Sequence, residues 1–169
     1  MKGTNMNTVK GIFSKKSDEW CTPVDLFNAY NDLYHFNLDA ASTHENALCD
    51  EHFTIEENGL ERSWQGKRVW CNPPYSNVKE WVDKAIKETT LSKDTIVVML
   101  LPSRTDTAWF HKLLGESSSV SVKFLRGRLR FNGCNQNAPF PSIVVTFNKV
   151  EALRYLCKTN LSSVYGKNI

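Results

Sequence analysis

The sequence predicts one α/β domain, because segments with helical periodicity alternate along the chain with short apolar segments typical of buried strands. Hydrophobic residues make up 41% of the 169 positions, enough for a core that needs neither disulfides nor structural metal ions. No internal repeat or Pro/Gly-rich linker divides the chain. We therefore expect a polar tail over residues 1–17 and a single domain over residues 18–169.

The first predicted helix begins at a capping pattern. Thr22 provides a hydroxyl at the cap and Pro23 suits the first helical position, and apolar residues at helical spacing extend the helix to about residue 34. A short strand over residues 36–39 follows. Residues 43–66 are acidic and irregular, so only a short strand at 52–55 is indicated there.

The rest of the chain alternates strands with helices. Predicted strands cover residues 68–71, 95–101, 120–131 and 142–147. Predicted helices begin near Val78 and at a cap on Thr105 or Asp106, and a third covers residues 150–157. The run over 95–101 is aliphatic throughout, as in an interior parallel strand. The alternation predicts a mainly parallel sheet with helices on both faces.

Polar residues follow three of the predicted strands. Asp39 comes after the first strand, Asn72 after the second, and Ser103 and Arg104 after the third. Ligands of parallel α/β sheets bind outside the carboxyl ends of the strands. We therefore expect these three positions to converge on one edge of the sheet.

Composition and charge exclude several classes of protein. The longest apolar run has six residues, far short of the roughly 20 that a membrane-spanning helix needs. The first 17 residues contain no apolar stretch long enough for a signal peptide, so we do not expect export. The five cysteines lack CxxC spacing, and this favours free thiols in a reducing cytoplasm. Residues 67–169 carry 16 basic and seven acidic side chains, a balance that attracts polyanions.

No metal site is expected. His44, Cys49 and His52 lie close together in the sequence, but they lack both the paired spacing of a zinc site and an evident fourth ligand.

The loop Asn72-Pro73-Pro74-Tyr75 is the most informative segment for chemistry. The two prolines fix two φ angles and remove two backbone donors, so the loop is stiff and presents carbonyl oxygens. Asn72 adds a side-chain acceptor and Tyr75 adds a flat aromatic face. A plain strand-ending turn is the alternative, but such a turn requires neither of these side chains. We therefore favour a functional loop.

Five groups of residues, in order along the chain, point to one family. They are Asp18-Glu19-Trp20-x-Thr22-Pro23, Leu38-Asp39-Ala40-Ala41-Ser42, Trp70-Cys71-Asn72-Pro73-Pro74-Tyr75, Pro102-x-Arg104-Thr105-Asp106-Thr107-x-Trp109, and Arg128-x-Arg130-Phe131 with Pro139-Phe140-Pro141-Ser142. The ordered set resembles the small phage-type DNA N6-adenine methyltransferases, which use S-adenosylmethionine. The resemblance extends over most of the chain and implies their Rossmann-like fold.

The resemblance implies methyl transfer to the exocyclic amine of a flipped adenine. That amine is a poor nucleophile, and the Asn72 side-chain oxygen and the Pro73 carbonyl would hold its two hydrogens beside Pro74. Tyr75 would stack on the flipped base. The resemblance also implies a cofactor pocket for S-adenosylmethionine. Its expected residues are Trp20, Thr22, Pro23, Asp39, Ala40, Ala41, Ser42 and Asn58, the last at a position where relatives tend to carry an acidic residue.

Basic residues predict the DNA contact. Arg126, Arg128 and Arg130 alternate with apolar residues, so an extended strand would place all three guanidiniums on one face. A charged edge strand is the alternative, but arginine suits bidentate contacts to phosphate or guanine. Arg104, Thr105 and Asp106 are further candidates near the mouth of the pocket. We expect double-stranded DNA as the partner.

Two alternatives to adenine methylation stay open. The loop Asn72-Pro73-Pro74-Tyr75 alone is also compatible with transfer to another planar amine, namely cytosine N4, an RNA base or a protein glutamine. A catalytically silent DNA-binding relative is the second alternative. The basic segment favours nucleic acid, and the family resemblance favours adenine.

Overall fold

The computed structural model describes residues 20–115 and 119–158; the expected tail over 1–17, together with Asp18 and Glu19, lies outside the described residues. The strands are β1 (Leu38–Asp39), β2 (Arg68–Cys71), β3 (Ile96–Pro102), β4 (Val120–Phe124) and β5 (Ser142–Phe147). The helices are α1 (Val24–Tyr34), α2 (Val78–Leu91), α3 (Ala108–Gly115) and α4 (Lys149–Lys158). Within the described ranges, no helix is long and apolar enough to cross a membrane.

The strands form one mixed sheet in the order β1-β2-β3-β5-β4. The strands β1, β2 and β3 pair in parallel, whereas β5 pairs antiparallel with both β3 and β4. Four of the five strands therefore run in the same direction, which confirms the mainly parallel sheet. The exception is β5, because the chain returns to it from β4 without a crossover helix.

Helices cover both faces of the sheet, as expected. Every side chain of β3 and of β5 is buried, and successive side chains of a strand point to opposite faces. Burial of whole strands therefore requires cover on both sides. The helices form two pairs, as cover on two faces requires, since α1 contacts α4 and α2 contacts α3. The α/β prediction is confirmed.

Both predicted helix caps are wrong in detail. Pro23 occupies the cap position of α1 without a side-chain cap bond, while the Thr22 hydroxyl accepts a hydrogen bond from Trp70 Nε1 at 3.4 Å. Thr105 and Asp106 lie in a turn before α3, so neither directly precedes the helix. At both helices, the residue expected to cap the helix lies one or more positions before the actual cap position.

The predicted arginine strand is also wrong. The strand β4 ends at Phe124, and Arg126, Arg128 and Arg130 lie in the following loop over residues 125–141, here called the arginine loop. Gly127 has a φ of +81°, a left-handed conformation that interrupts an extended backbone. The alternation survives without the strand, because the three arginines are exposed while the apolar residues before, between and after them are partly or fully buried: Leu125, Leu129 and Phe131.

The irregular segment before β2 is held by Trp64. This side chain is fully buried, and its Nε1 donates to the Gly59 carbonyl at 3.0 Å. Its backbone N–H donates to Glu88 Oε2 at 2.8 Å, and its ring stacks on Trp81 of α2 with centroids 6.2 Å apart. The strand expected at 52–55 is reduced to one bridge between Asp39 and His52. Tertiary packing therefore organises this segment.

Candidate active site

A cleft of about 380 Å³ lies where β1 and β2 end, within the usual size of small-molecule sites. It is lined by three residues of the loop after β2, Asn72, Pro73 and Pro74. Six of the eight expected cofactor residues also line it, namely Trp20, Thr22, Asp39, Ala41, Ser42 and Asn58. The structure thus brings the two halves of the expected site into one cleft.

Three of the expected catalytic and cofactor-binding residues do not line the cleft. Pro23 caps α1, and Ala40 is fully buried with its backbone N–H donating to the Trp70 carbonyl at 2.9 Å. Tyr75 is buried beside the cleft. Nor do Ser103 and Arg104 line it, and the Ser103 N–H instead donates to the carbonyl of Pro141 in the arginine loop at 2.8 Å. The expected convergence therefore brings two of the three strand ends into the cleft.

Sequence reasoning missed one wall of the cleft. Several lining residues come from the irregular segment, among them Phe53, Ile55, Glu56 and Gly59, and Trp81 comes from α2. A Cβ on Gly59 would lie 2.2 Å from the Ala40 carbonyl oxygen, so only glycine permits this close approach. No periodic pattern marks these turns, and Trp81 has the helical spacing of a core residue.

Asp39 is a buried carboxylate at the end of β1. Its Oδ2 accepts the Leu48 N–H at 3.1 Å and its Oδ1 accepts the Ala41 N–H at 3.5 Å. Burial raises the pKa of Asp39 from 3.8 to about 6, although these hydrogen bonds and the charge of His52 act in the opposite direction. Above this pH, the group supplies a negative charge to the cleft.

The cleft as a whole is acidic. Three carboxylic acids, Asp39, Glu45 and Glu56, are among its lining residues, and the described lining includes no Lys or Arg. Such a site attracts a cationic ligand and repels polyphosphates.

Of the two polar atoms in the Asn72 amide, one has a hydrogen-bond partner among the described residues. Its Nδ2 donates to the Trp20 backbone carbonyl, while its Oδ1 is buried and has no hydrogen-bond partner among the described residues. The Ser42 hydroxyl, at another wall of the cleft, is in the same condition. A buried polar atom without a partner costs roughly 1–3 kcal/mol, and in native structures it often marks a functional site. Asn72 Oδ1 can therefore accept a hydrogen from a substrate.

Tyr75 is covered by aromatic residues of the arginine loop. Its ring centroid lies 6.3 Å from that of Phe131 and 5.5 Å from that of Phe140, and it is 3% exposed. Trp20 packs on the same two phenylalanines at 5.0 and 5.2 Å. Burial raises the pKa of Tyr75, so its phenol stays protonated. In this state of the protein, the expected stacking face is occupied by the loop.

The arginine loop lies beside the site and carries exposed basic side chains. Residues 119–150 include five basic side chains and no acidic one. Arg130 Nε donates to the Cys134 carbonyl at 3.0 Å within the loop, and the Asn132 N–H donates to the Cys21 carbonyl at 2.8 Å at the cleft wall. Arg104, Thr105 and Asp106 are exposed in the turn linked to this loop through Ser103. The basic loop and the cleft are thus directly connected.

The described residues contain no group of three or more His, Cys, Asp or Glu side chains able to hold a metal ion. His44 Nδ1 and His52 Nε2 instead share a hydrogen bond of 2.8 Å. Cys49, the third residue considered for a metal, is a free thiol.

The sheet and its carboxyl-edge cleft have the architecture of the Rossmann-like methyltransferase class. Within that class, the chain belongs to the DNA N-6-adenine-methyltransferase (Dam) family, whose sequence profile matches residues 10–161. The predicted family is therefore confirmed.

Two phage proteins illustrate the similarity. The chain is 39% identical over 122 residues to the DNA N-6-adenine-methyltransferase of Haemophilus phage HP1, covering 70% of this chain and 69% of that protein. It is also 39% identical over 95 residues to the DNA N-6-adenine-methyltransferase of Escherichia phage T1. That match covers 55% of this chain and only 39% of the longer T1 protein.

The burial of Asp39 predicts a pH-dependent stability. Because its folded-state pKa is about 6 and exceeds 3.8, the folded protein binds the proton more tightly than the unfolded chain. The resulting stabilisation is fully present below pH 3.8 and is lost as the pH rises through 6, amounting to about 3 kcal/mol. Asp39→Asn should remove this component. Urea unfolding of both proteins between pH 4 and 8 tests it, and a constant difference in unfolding free energy would contradict it.

Proposed function

We propose that this protein is an S-adenosylmethionine-dependent methyltransferase that modifies the N6 amine of a flipped adenine in double-stranded DNA. The observation that carries the proposal is the buried, unpartnered Asn72 Oδ1 at the wall of an acidic cleft. Membership of the Dam family supports adenine as the target. The basic arginine loop beside the cleft supports DNA as the partner.

The cleft suits S-adenosylmethionine in charge and in surface. Its carboxylates favour a ligand with a sulfonium and an ammonium group, and Asp39 is the most buried of them. Trp20, Phe53 and Trp81 offer aromatic surface for the adenosine part, and the Ser42 hydroxyl is available to a polar group. When bound, the cofactor supplies an electrophilic methyl group.

The loop after β2 prepares the amine for attack. Asn72 Oδ1 and the Pro73 carbonyl accept the two amine hydrogens, which directs the nitrogen lone pair away from the ring and stabilises the positive charge that develops on it. Pro73 and Pro74 hold these acceptors rigidly, so little reorganisation is needed during the reaction. No covalent bond to the protein is required, and buried Cys71 remains a core residue.

Access of the base requires movement of the arginine loop. Phe131 and Phe140 cover Tyr75, so a flipped adenine reaches the tyrosine ring only when these two side chains move away. The arginines of the same loop attract DNA phosphates. The residues that contact DNA and the phenylalanines that cover Tyr75 therefore belong to one segment. We expect DNA binding and opening of the base site to be coupled.

Transfer of labelled methyl groups from S-adenosylmethionine tests the proposal. Duplex DNA containing adenine should accept label, whereas a duplex of inosine and cytosine, an RNA of the same sequence and a glutamine-rich protein should not. Incorporation into the adenine-free duplex would favour cytosine N4. No incorporation into any acceptor, with DNA binding intact, would favour the catalytically silent relative.

The exposed arginines predict a change in the salt dependence of DNA binding. Arg126→Ala combined with Arg128→Ala should weaken binding and reduce the slope of log K against log salt by up to about 1.8, because fewer counterions are released. The matched control is Lys87→Ala with Lys93→Ala, which removes the same charge from an exposed residue of α2 and an exposed residue of the turn that follows it. Fluorescence anisotropy at several salt concentrations measures both slopes. Equal slopes for the two double variants would contradict the assignment.

A further inference from the structure

The orientation of the Asn72 amide decides whether it can act on an amine. An amide has one oxygen, which accepts hydrogen bonds, and one nitrogen, which only donates them. If Nδ2 faced the adenine amine, two donors would oppose each other and the lone pair would not be directed. The reaction therefore needs a second group that keeps Nδ2 away from the substrate.

The backbone carbonyl of Trp20 meets this need. It accepts the hydrogen bond from Asn72 Nδ2, and because a carbonyl cannot donate, it is compatible only with the amide orientation that leaves Oδ1 available. The substrate-facing acceptor is thus selected by a residue 52 positions away in the sequence.

Three contacts hold this carbonyl in place. The Trp20 ring packs against Phe131 and Phe140 of the arginine loop, which also contact each other. The carbonyl of the next residue, Cys21, accepts the Asn132 N–H at 2.8 Å, and Thr22 Oγ1 accepts from Trp70 Nε1 at 3.4 Å. The segment from Trp20 to Thr22 therefore joins the arginine loop to the loop after β2 that contains Asn72.

We infer that Trp20 is a positioning residue for methyl transfer: its backbone carbonyl, fixed by the packing of its ring, locks the Asn72 amide with Oδ1 toward the adenine amine. This inference rests on the proposed function. It assigns Trp20 a role toward the methyl acceptor, in addition to its place in the cofactor cleft.

Asn72→Asp is the sharpest test, because it has the same shape and keeps an acceptor while removing the donor. An ionised carboxylate would place oxygen against the Trp20 carbonyl, whereas the protonated acid can donate to that carbonyl and still offer an oxygen to the amine. The turnover of the variant relative to wild type should therefore rise about tenfold or more as the pH falls from about 8 to about 5.

The ratio to wild type removes the titration of other groups in the cleft. Asp39, His44, Glu45 and Glu56 line the same cleft and are present in both proteins. Burial raises the pKa of the nearby Cys71 and Tyr75, so both stay protonated over this range.

Variants of Trp20 test the second half of the inference. Trp20→Ala should lower kcat at saturating cofactor and DNA, and Trp20→Phe, which keeps an aromatic ring against Phe131 and Phe140, should restore most of it. In the double variant Trp20→Ala with Asn72→Asp, the backbone carbonyl of residue 20 is no longer fixed. The turnover of this double variant, divided by the turnover of Trp20→Ala alone, should therefore depend less on pH.

The outcomes separate this inference from the proposed function. If wild-type protein transfers no methyl group to adenine, the proposed function fails. If wild type is active and the Asn72→Asp ratio is constant with pH, the Trp20 carbonyl does not select the amide orientation and the inference is overturned. An Asn72→Asp ratio whose pH dependence is unchanged by Trp20→Ala would also overturn it.

Discussion

Replacing Asn72 by Ala is expected to slow methyl transfer by about 10²–10³-fold, because it removes a fixed hydrogen-bond acceptor that stabilises charge developing on the amine. Binding of cofactor and of DNA should remain close to wild type, since Asp39 and the arginine loop are untouched. Single-turnover kinetics measures the transfer step, and titration calorimetry measures the cofactor affinity. Transfer at the wild-type rate would show that the loop is only a turn.

Asn77→Ala is the matched control for this prediction. Asn77 lies five residues further along the chain, does not line the cleft, and forms no side-chain cap bond with α2. Its Nδ2 donates to Oε2 of the exposed Glu80 at 2.7 Å. The same substitution here should leave the transfer rate within about a factor of two of wild type.

Gly59→Ala is expected to damage both stability and cofactor binding. The new Cβ would lie 2.2 Å from the Ala40 carbonyl oxygen and 3.1 Å from the Trp81 ring, so backbone must move. Overpacking of this kind costs about 1–3 kcal/mol, or about 2–12 °C in Tm for a domain of this size. Because Asn58, Gly59 and Trp81 all line the cleft, the displaced segment should also weaken S-adenosylmethionine binding.

Gly115→Ala is the control, since a Cβ at the end of α3 meets no atom of the described residues within 4 Å. Its Tm should be unchanged or slightly higher. Thermal unfolding with and without cofactor measures both effects. A Gly59→Ala protein with the Tm and cofactor affinity of the Gly115→Ala protein would show that the close approach at Gly59 has no functional consequence.

The sequence was sufficient to predict the elements that have a regular pattern. The β2 strand over Arg68–Cys71, the amphipathic helix α2 and the buried strand β3 carry a clear periodicity or an unbroken apolar run, and the structure has them where they were expected. The two halves of the site meet because Asp39 and Asn72 follow neighbouring parallel strands. That convergence follows from strand order and does not depend on details of packing.

Features that depend on long-range packing could not be predicted. The cleft wall containing Gly59 is held by Trp64 and Glu88, which are 24 residues apart. The alternation of arginines suggested a strand, but β4 ends at Phe124 and the left-handed backbone at Gly127 interrupts an extended conformation among the arginines. The contact between Tyr75 and Phe131 could not be predicted, because it depends on where the arginine loop folds back. Local pattern contains none of this information.

The family membership is confirmed by the match over residues 10–161, whereas the roles of individual side chains remain predictions. Among these, the cofactor and DNA residues can be tested by binding alone. The acceptor role of Asn72 requires identification of the product, because binding measurements cannot distinguish an active enzyme from a silent relative.

Mass spectrometry of nucleosides from unmethylated duplex DNA, after incubation with protein and S-adenosylmethionine, tests the central claim most directly. We expect N6-methyladenine with the wild-type protein and with Asn77→Ala, and at most about one hundredth of that initial rate with Asn72→Ala. N4-methylcytosine as the product, or no methylated nucleoside from a wild-type protein that binds both cofactor and DNA, would contradict it.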